Sequence, residues 1–268
     1  MNKIKKSLCS IIAGLFLCSS MSCITTNNKN YSEEKSFNRR SDLETVLYDK
    51  NDNHITDSTI KEIVENTVKI TVYNGYELPS NNDKKEKIIY RPLSSGSGII
   101  MYDQEKDQFY ILSVAHLSPP TSNSRFKNIR FKVGDYELEL VKENRDRDLA
   151  LFKVDGKFRS HFAGELADNY KIGDYVIGSG FPGLGPISER IIIFDGRISS
   201  IGYEPWIYVD GHINPGHSGG PTFVFKNGDP YLLGLNRVTL LGRQGISGLA
   251  PKEHIEEFLK DTPIGDDY

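Results

Sequence analysis

The amino-acid sequence predicts an all-β protein, built as an antiparallel barrel or a pair of barrels. Three observations carry this. About a dozen short apolar or alternating runs, separated by Gly, Pro and Asp turns, fill the chain from Val68 to Leu249. Helical spacing is confined to two segments, one before and one after that region. No internal repeat recurs at solenoid periods.

In order, a short helix is expected from Ser58, with Ile60, Ile63 and Val64 on one face and Asp57 or Ser58 as its cap. Val68 to Tyr73 alternates as a half-buried strand that Asn74-Gly75 would end. Leu78 to Arg91 reads as a polar, Lys-rich loop. Gly96–Tyr102 and Gln108–Ser113 pair as a hairpin. Asn128–Val133 and Tyr136–Val141 flank Gly134-Asp135, a two-residue turn signal. Strands follow at Leu149–Val154, Asp174–Ser179, Ile191–Phe194, Arg197–Tyr203, Trp206–Val209, Thr222–Phe225, Tyr231–Leu235 and Ile246–Leu249. Asp195-Gly196 is taken as a turn between two of them. Pro251 to Leu259 closes the series with helical spacing, Pro in the first turn and Ile255, Phe258 and Leu259 on one face.

The chain has 268 residues, which suits one or two domains. Its net charge is −3, and residues 1–22 hold three lysines and no acid, so the remainder stands at −6. An acidic body argues against nucleic-acid binding. The three cysteines, Cys9, Cys18 and Cys23, all lie near the N-terminus. The body therefore has no disulfide, catalytic thiol or Cys-ligated metal. No His-Glu-x-x-His motif is present either, so neither metal nor cofactor is expected.

Met1–Lys6 is basic and Leu8–Cys18 is apolar but short for a bilayer span. Residues 1–22 read as an export signal. Ser22-Cys23 resembles a bacterial lipoprotein processing site, which implies lipidation of Cys23 and attachment to a membrane. It departs from that pattern at Ser20, where Leu is usual. Residues 23–56 are polar and cannot bury a core, so they are expected to form a flexible tether. The folded domain is expected over residues 57–268.

Chemistry concentrates in Ile213-Asn214-Pro215-Gly216-His217-Ser218-Gly219-Gly220-Pro221. Glycine and proline make this stretch sharply bent, with backbone N–H groups left over for an anion beside the Ser218 hydroxyl. A serine needs an adjacent base, and the base needs an orienting group. Of the six histidines, His116 closes an apolar strand in Ser113-Val114-Ala115-His116. The acid candidate is Asp148, last of a charged run and next to Leu149-Ala150-Leu151-Phe152; Asp146 is the alternative.

These three words, in the order His, Asp, Ser, resemble those of trypsin-like serine proteases, most closely the bacterial HtrA/Deg branch. Gly96-Ser97-Gly98-Ile99-Ile100, Gly173-Asp174-Tyr175-Val176 with Gly180-Phe181-Pro182, Gly234-Leu235-Asn236 and Gly248-Leu249-Ala250-Pro251 add to the likeness, which covers about residues 60 to 260. The resemblance implies two antiparallel six-stranded β-barrels with a catalytic cleft between them, and protein or peptide substrates. It implies His116, Asp148 and Ser218 as a triad, and an oxyanion hole from Gly216 and Ser218 helped by His217. Leu235, Asn236, Arg237 and Leu249 would line the primary pocket, with His212 near its floor and a small or apolar preference.

The chain departs from the family at His217, where HtrA relatives usually carry Asn. It lacks the animal enzymes' cysteines, with Leu117 after the His. No PDZ domain follows, so regulation through one is not expected. Two other readings fit parts of the sequence. Gly216-His217-Ser218-Gly219-Gly220 also fits the elbow of α/β-hydrolases, with Asp229 and His254 as partners. A trypsin-like module used only for binding or as a chaperone is the other.

Overall fold

The computed structural model describes residues 47–48, 54–78, 87–119, 126, 128–183, 189–202, 206–239, 245–265 and 268. The expected export signal, Cys23 and most of the expected tether lie outside them.

Helix α1 (Asp57–Asn66) is capped by Thr56, whose hydroxyl accepts from the Thr59 N–H at 3.3 Å. The cap thus falls one residue before the expected Asp57, because Thr56 keeps an extended backbone while Asp57 already lies in the first turn. Just upstream, β1 (Leu47–Tyr48) pairs with β2 (His54–Ile55), and Ile55 is fully buried. The folded body therefore reaches a little further back than residue 57.

Six strands close the first barrel: β3 (Thr67–Leu78), β4 (Lys87–Asp103), β5 (Gln108–Ser113), β6 (Ile129–Val133), β7 (Tyr136–Asn144) and β8 (Leu149–Val154), in the order β3-β4-β5-β8-β7-β6. Six more close the second: β9 (Tyr175–Gly180), β10 (Ile192–Ile201), β11 (Ile207–Val209), β12 (Pro221–Lys226), β13 (Asp229–Thr239) and β14 (Ser247–Pro251), in the order β10-β11-β14-β13-β12-β9. All pairings are antiparallel. Closure leaves neither barrel with an unpaired edge. Helix α2 (Lys252–Leu259) follows, with Pro251 at its N-cap position and no side-chain cap hydrogen bond.

Two turn expectations do not hold. Asn74-Gly75 does not end β3, which pairs on with β4 as far as Leu78↔Lys87. A Cβ on Gly75 would come within 2.7 Å of Ile88 and 2.8 Å of Asn128, so this glycine permits close packing of neighbouring strands. Asp195-Gly196 likewise lies inside β10, paired to Ile177 and Val176. There a Cβ would meet Asp210 at 2.7 Å. Both dipeptides mark close approach, the other use of glycine in a strand. Gly134-Asp135, by contrast, is the tight turn it reads as, with Val133 opposite Tyr136.

One apolar cluster joins the barrels: Ile70, Ile111 and Phe152 from the first share it with Ile177, Phe223 and Leu235 from the second, and with Ile255 and Phe258 of α2. Phe162, in the connection between β8 and β9, sits in the same cluster. Its N–H bonds the Ile100 carbonyl at 2.8 Å and its ring lies 5.6 Å from Phe223.

Candidate active site

The first barrel supplies a His and an Asp from neighbouring strand ends. β5 is buried to its last residue, and Val114, Ala115 and Leu117 anchor the 3-10 turn that follows. His116 is the member of that turn left facing outward, its side chain 43% exposed. Asp148 precedes β8 in a left-handed backbone conformation, φ +57°, and is 4% exposed. That strained conformation turns the carboxylate back towards the 3-10 turn. Its Oδ1 accepts the backbone N–H of His116 at 2.8 Å, and its Oδ2 lies 2.7 Å from His116 Nδ1. An ionised carboxylate only accepts, so Nδ1 carries a proton, and in the neutral ring the lone pair is then on Nε2.

Burial pushes the Asp148 carboxyl up, but the bonds and charge of His116 and the Arg237 guanidinium outweigh it. The group is held below the usual carboxylate range and is ionised at neutral pH. Arg237 was expected in a substrate pocket. Instead its Nε–H donates to Asp148 Oδ2 at 2.7 Å, across from β13 of the second barrel.

The nucleophile candidate sits on the loop before β12. Gly216 at φ +102° and Gly219 at φ +85° hold conformations that a Cβ would forbid. A Cβ on Gly219 would also lie 2.1 Å from Ser113 Oγ, so the loop packs directly on the end of β5. Ser97, buried on β4, ties the loop down. Its hydroxyl accepts from Phe181 N–H at 2.8 Å and donates to the Gly216 carbonyl at 2.7 Å, and its own N–H bonds the Ser218 carbonyl at 2.7 Å. Its family word was legible in the sequence, but its contacts to a loop over a hundred residues away were not.

The Ser218 hydroxyl makes a long bond, 3.4 Å, to the Arg237 carbonyl, and no hydrogen bond joins it to His116. Such bonds often tighten only once substrate is bound. Arg237 thus meets the His–Asp pair through its side chain and the Ser through its backbone. Among the described residues, the N–H groups of Gly216 and Ser218 have no protein acceptor. The His217 N–H is taken by the Asn214 carbonyl at 3.0 Å. Its ring is fully buried, edge-on to Phe194 at 5.7 Å, with Nδ1 3.2 Å from both the N–H and the carbonyl of Asn214. His217 therefore lies beneath the loop and is not a donor on its surface.

The expected pocket residues do not gather their side chains in one place. Asn236 points into the second barrel, donating to the Ser179 carbonyl at 3.0 Å and accepting from Thr222 Oγ1 at 2.7 Å. Leu235 and Leu249 belong to two different core clusters, and His212 is exposed. Leu235 and Asn236 are neighbours on β13, so their side chains face opposite sides of it. Among the described residues, no group of three His, Cys, Asp or Glu side chains is placed as metal ligands would be. A groove of about 500 Å³ opens beside the loop, lined by Thr71, Tyr73, Leu93, Ser94, Ser95 and Gly183.

The elbow reading fails on this geometry. A strand and not a helix follows Ser218, Asp229 opens β13 and His254 lies on α2.

Comparison with known proteins agrees with the fold. A probable periplasmic serine endoprotease, DegP-like, from Rhizobium meliloti (strain 1021) is 31% identical over 186 residues, 65% of this chain and 35% of the relative. One from Ectopseudomonas mendocina (strain ymp) is 34% identical over 119 residues, 43% of this chain and 24% of the relative. The chain thus spans about a third or less of the length of these relatives. The crystal structure of the serine endoprotease from Yersinia pestis superimposes with a TM-score of 0.53 at 24% identity, covering 76% of this chain and 66% of that one, a likeness of fold. The trypsin-like peptidase domain matches residues 96–235, over half of the chain and from the Ser97 clamp through the Ser218 loop. With two closed barrels and these loops in place, the chain belongs to the trypsin-like peptidase family.

Proposed function

We propose that the protein is a serine endopeptidase acting through a His116, Asp148 and Ser218 triad and an acyl-enzyme. The observation that carries this is the 2.7 Å pair between His116 Nδ1 and Asp148 Oδ2, which leaves Nε2 as a base at the end of a rigid strand. Ser218 Oγ attacks the scissile carbonyl carbon while Nε2 takes the hydroxyl proton. The oxyanion that forms accepts from the N–H groups of Gly216 and Ser218. His116 then gives its proton to the leaving amine, and water repeats the sequence to free the acid. Asp148 fixes the tautomer and stabilises the imidazolium. His217 props the loop from below.

Relatives named as periplasmic endoproteases, and the basic then apolar residues 1–22, support export. Labelling with a fluorophosphonate probe tests both points. The wild-type protein takes up label and Ser218→Ala does not, and the label is recovered outside the cytoplasm. Absence of Ser218-dependent labelling in a folded protein overturns the peptidase reading and leaves a binding module. Label confined to the cytosol overturns export.

A further inference from the structure

Arg237 stands away from the pocket in which its sequence context placed it. A register shift between Asn236 and Val238 marks a β-bulge at Arg237 on β13. From there the guanidinium reaches the other barrel. Nε–H donates to Asp148 Oδ2, the same oxygen that His116 Nδ1 engages. The guanidinium carbon lies 3.7 Å from the centre of the Trp206 ring, and one terminal nitrogen is buried with no hydrogen-bond partner. Stacking on the indole face offsets part of the cost of that lost bond. A side chain held by an ion pair on one side and a tryptophan on the other has little freedom to leave.

Other charges near the pair are engaged elsewhere. On the Asp148 loop, Arg145 pairs with Glu143 at 2.6 Å and Arg147 pairs with Glu257 of α2 at 2.6 Å. His254, also on α2, is held below the usual histidine range, first by burial and then by Arg147 and Arg237. Among the described residues, Arg237 is the cation that bonds the Asp148 carboxylate directly, apart from His116 itself.

We propose that Arg237 is a positioning residue of the hydrolytic site, fixing the Asp148 carboxylate from the second barrel and partly cancelling its charge. Trp206 is the platform that holds it there. The inference rests on the His116–Asp148–Ser218 reading. Its sign follows from electrostatics. A cation beside the His–Asp pair disfavours the imidazolium, so removing that cation favours it. The same cation reduces how strongly Asp148 stabilises the imidazolium formed during reaction, and the Nε–H bond makes up for this by holding the carboxylate in place.

The test measures the second-order rate of Ser218 labelling by a fluorophosphonate from pH 4.5 to 9. The His116 ring is titrated by NMR in parallel. In Arg237→Gln the acid limb and the NMR midpoint both move up by on the order of 1 pH unit. In Arg237→Lys, which keeps the charge but not the planar fork, the limb stays with the wild type while the plateau rate falls. Unchanged or lowered values in a folded Arg237→Gln overturn the proposal. If that variant does not fold, Trp206→Leu decides. It removes the platform, so the limb rises by a smaller amount, and an unmoved limb overturns the proposal. The NMR titration needs no turnover. An inert wild-type protein would therefore refute the peptidase reading while the titration still ruled on Arg237.

Discussion

Among single residues, His217 holds an unusual position, because a fully buried imidazole beneath a reactive loop must choose between charge and burial. Burial holds its pKa below the usual histidine range, only partly opposed by Asn214. Above about pH 6.5 the ring is neutral in both folded and unfolded chains. Below it the unfolded chain takes up a proton that the buried ring refuses, so stability falls with pH through this site. Replacing it by a smaller group opens space against Phe194. His217→Asn is therefore expected to melt lower than wild type at pH 8, by an amount typical of a buried cavity. The gap should narrow between pH 6.5 and 5, as read from thermal midpoints across pH. A gap that widens over that range would contradict the buried, neutral ring. The sequence marked His217 as a departure from its family. Burial and a partner on another strand, which explain it, are long-range properties that local spacing does not carry.

Elements explain how the loop keeps its shape. β4 runs past the nucleophile loop and plants Ser97 under it, where one hydroxyl serves both Phe181 and Gly216. Ser97→Ala leaves the Phe181 N–H and the buried Gly216 carbonyl without this partner, a loss of about 1–3 kcal/mol in stability. It also releases the Gly216 carbonyl, so the backbone of Gly216, which carries the N–H, is held less firmly. If the Gly216 N–H serves the oxyanion, kcat should fall by about 10²–10³-fold with KM little changed. Steady-state kinetics beside urea unfolding separates the two effects, and a KM change without a kcat change would remove Ser97 from the machinery. At this scale most strands were legible. The limits of β5 and β8 match the expected Gln108–Ser113 and Leu149–Val154. Boundaries were misread where glycine allows two chains to touch, at Gly75 and Gly196. Composition cannot distinguish that use of glycine from a turn.

The whole molecule depends on the contact between barrels. Phe162 is buried between them, ring to ring with Phe223, and its carbonyl accepts from the Tyr268 hydroxyl at 2.7 Å. Phe162→Ala should cost about 3–5 kcal/mol, the range for a buried aromatic. Because one apolar cluster spans both barrels, the loss should appear as a single shifted transition in denaturant. Two separated transitions would show the barrels unfolding independently. Activity and stability are linked at this scale, since Asp148 and Arg237 sit on opposite sides of the same junction.

By itself the sequence determined the fold class, the two flanking helices and the identity of the His, Asp and Ser candidates. Each rests on a local signal: alternation, turn residues, or a short word in the right order. Tertiary structure alone decided which of these side chains meet. It moved Arg237 from the expected pocket to the Asp148 carboxylate, turned Asn236 inward, and set His217 beneath the loop it interrupts. The physical reason is that barrel closure and strand alternation set where a side chain points, and both depend on pairings far apart in the chain.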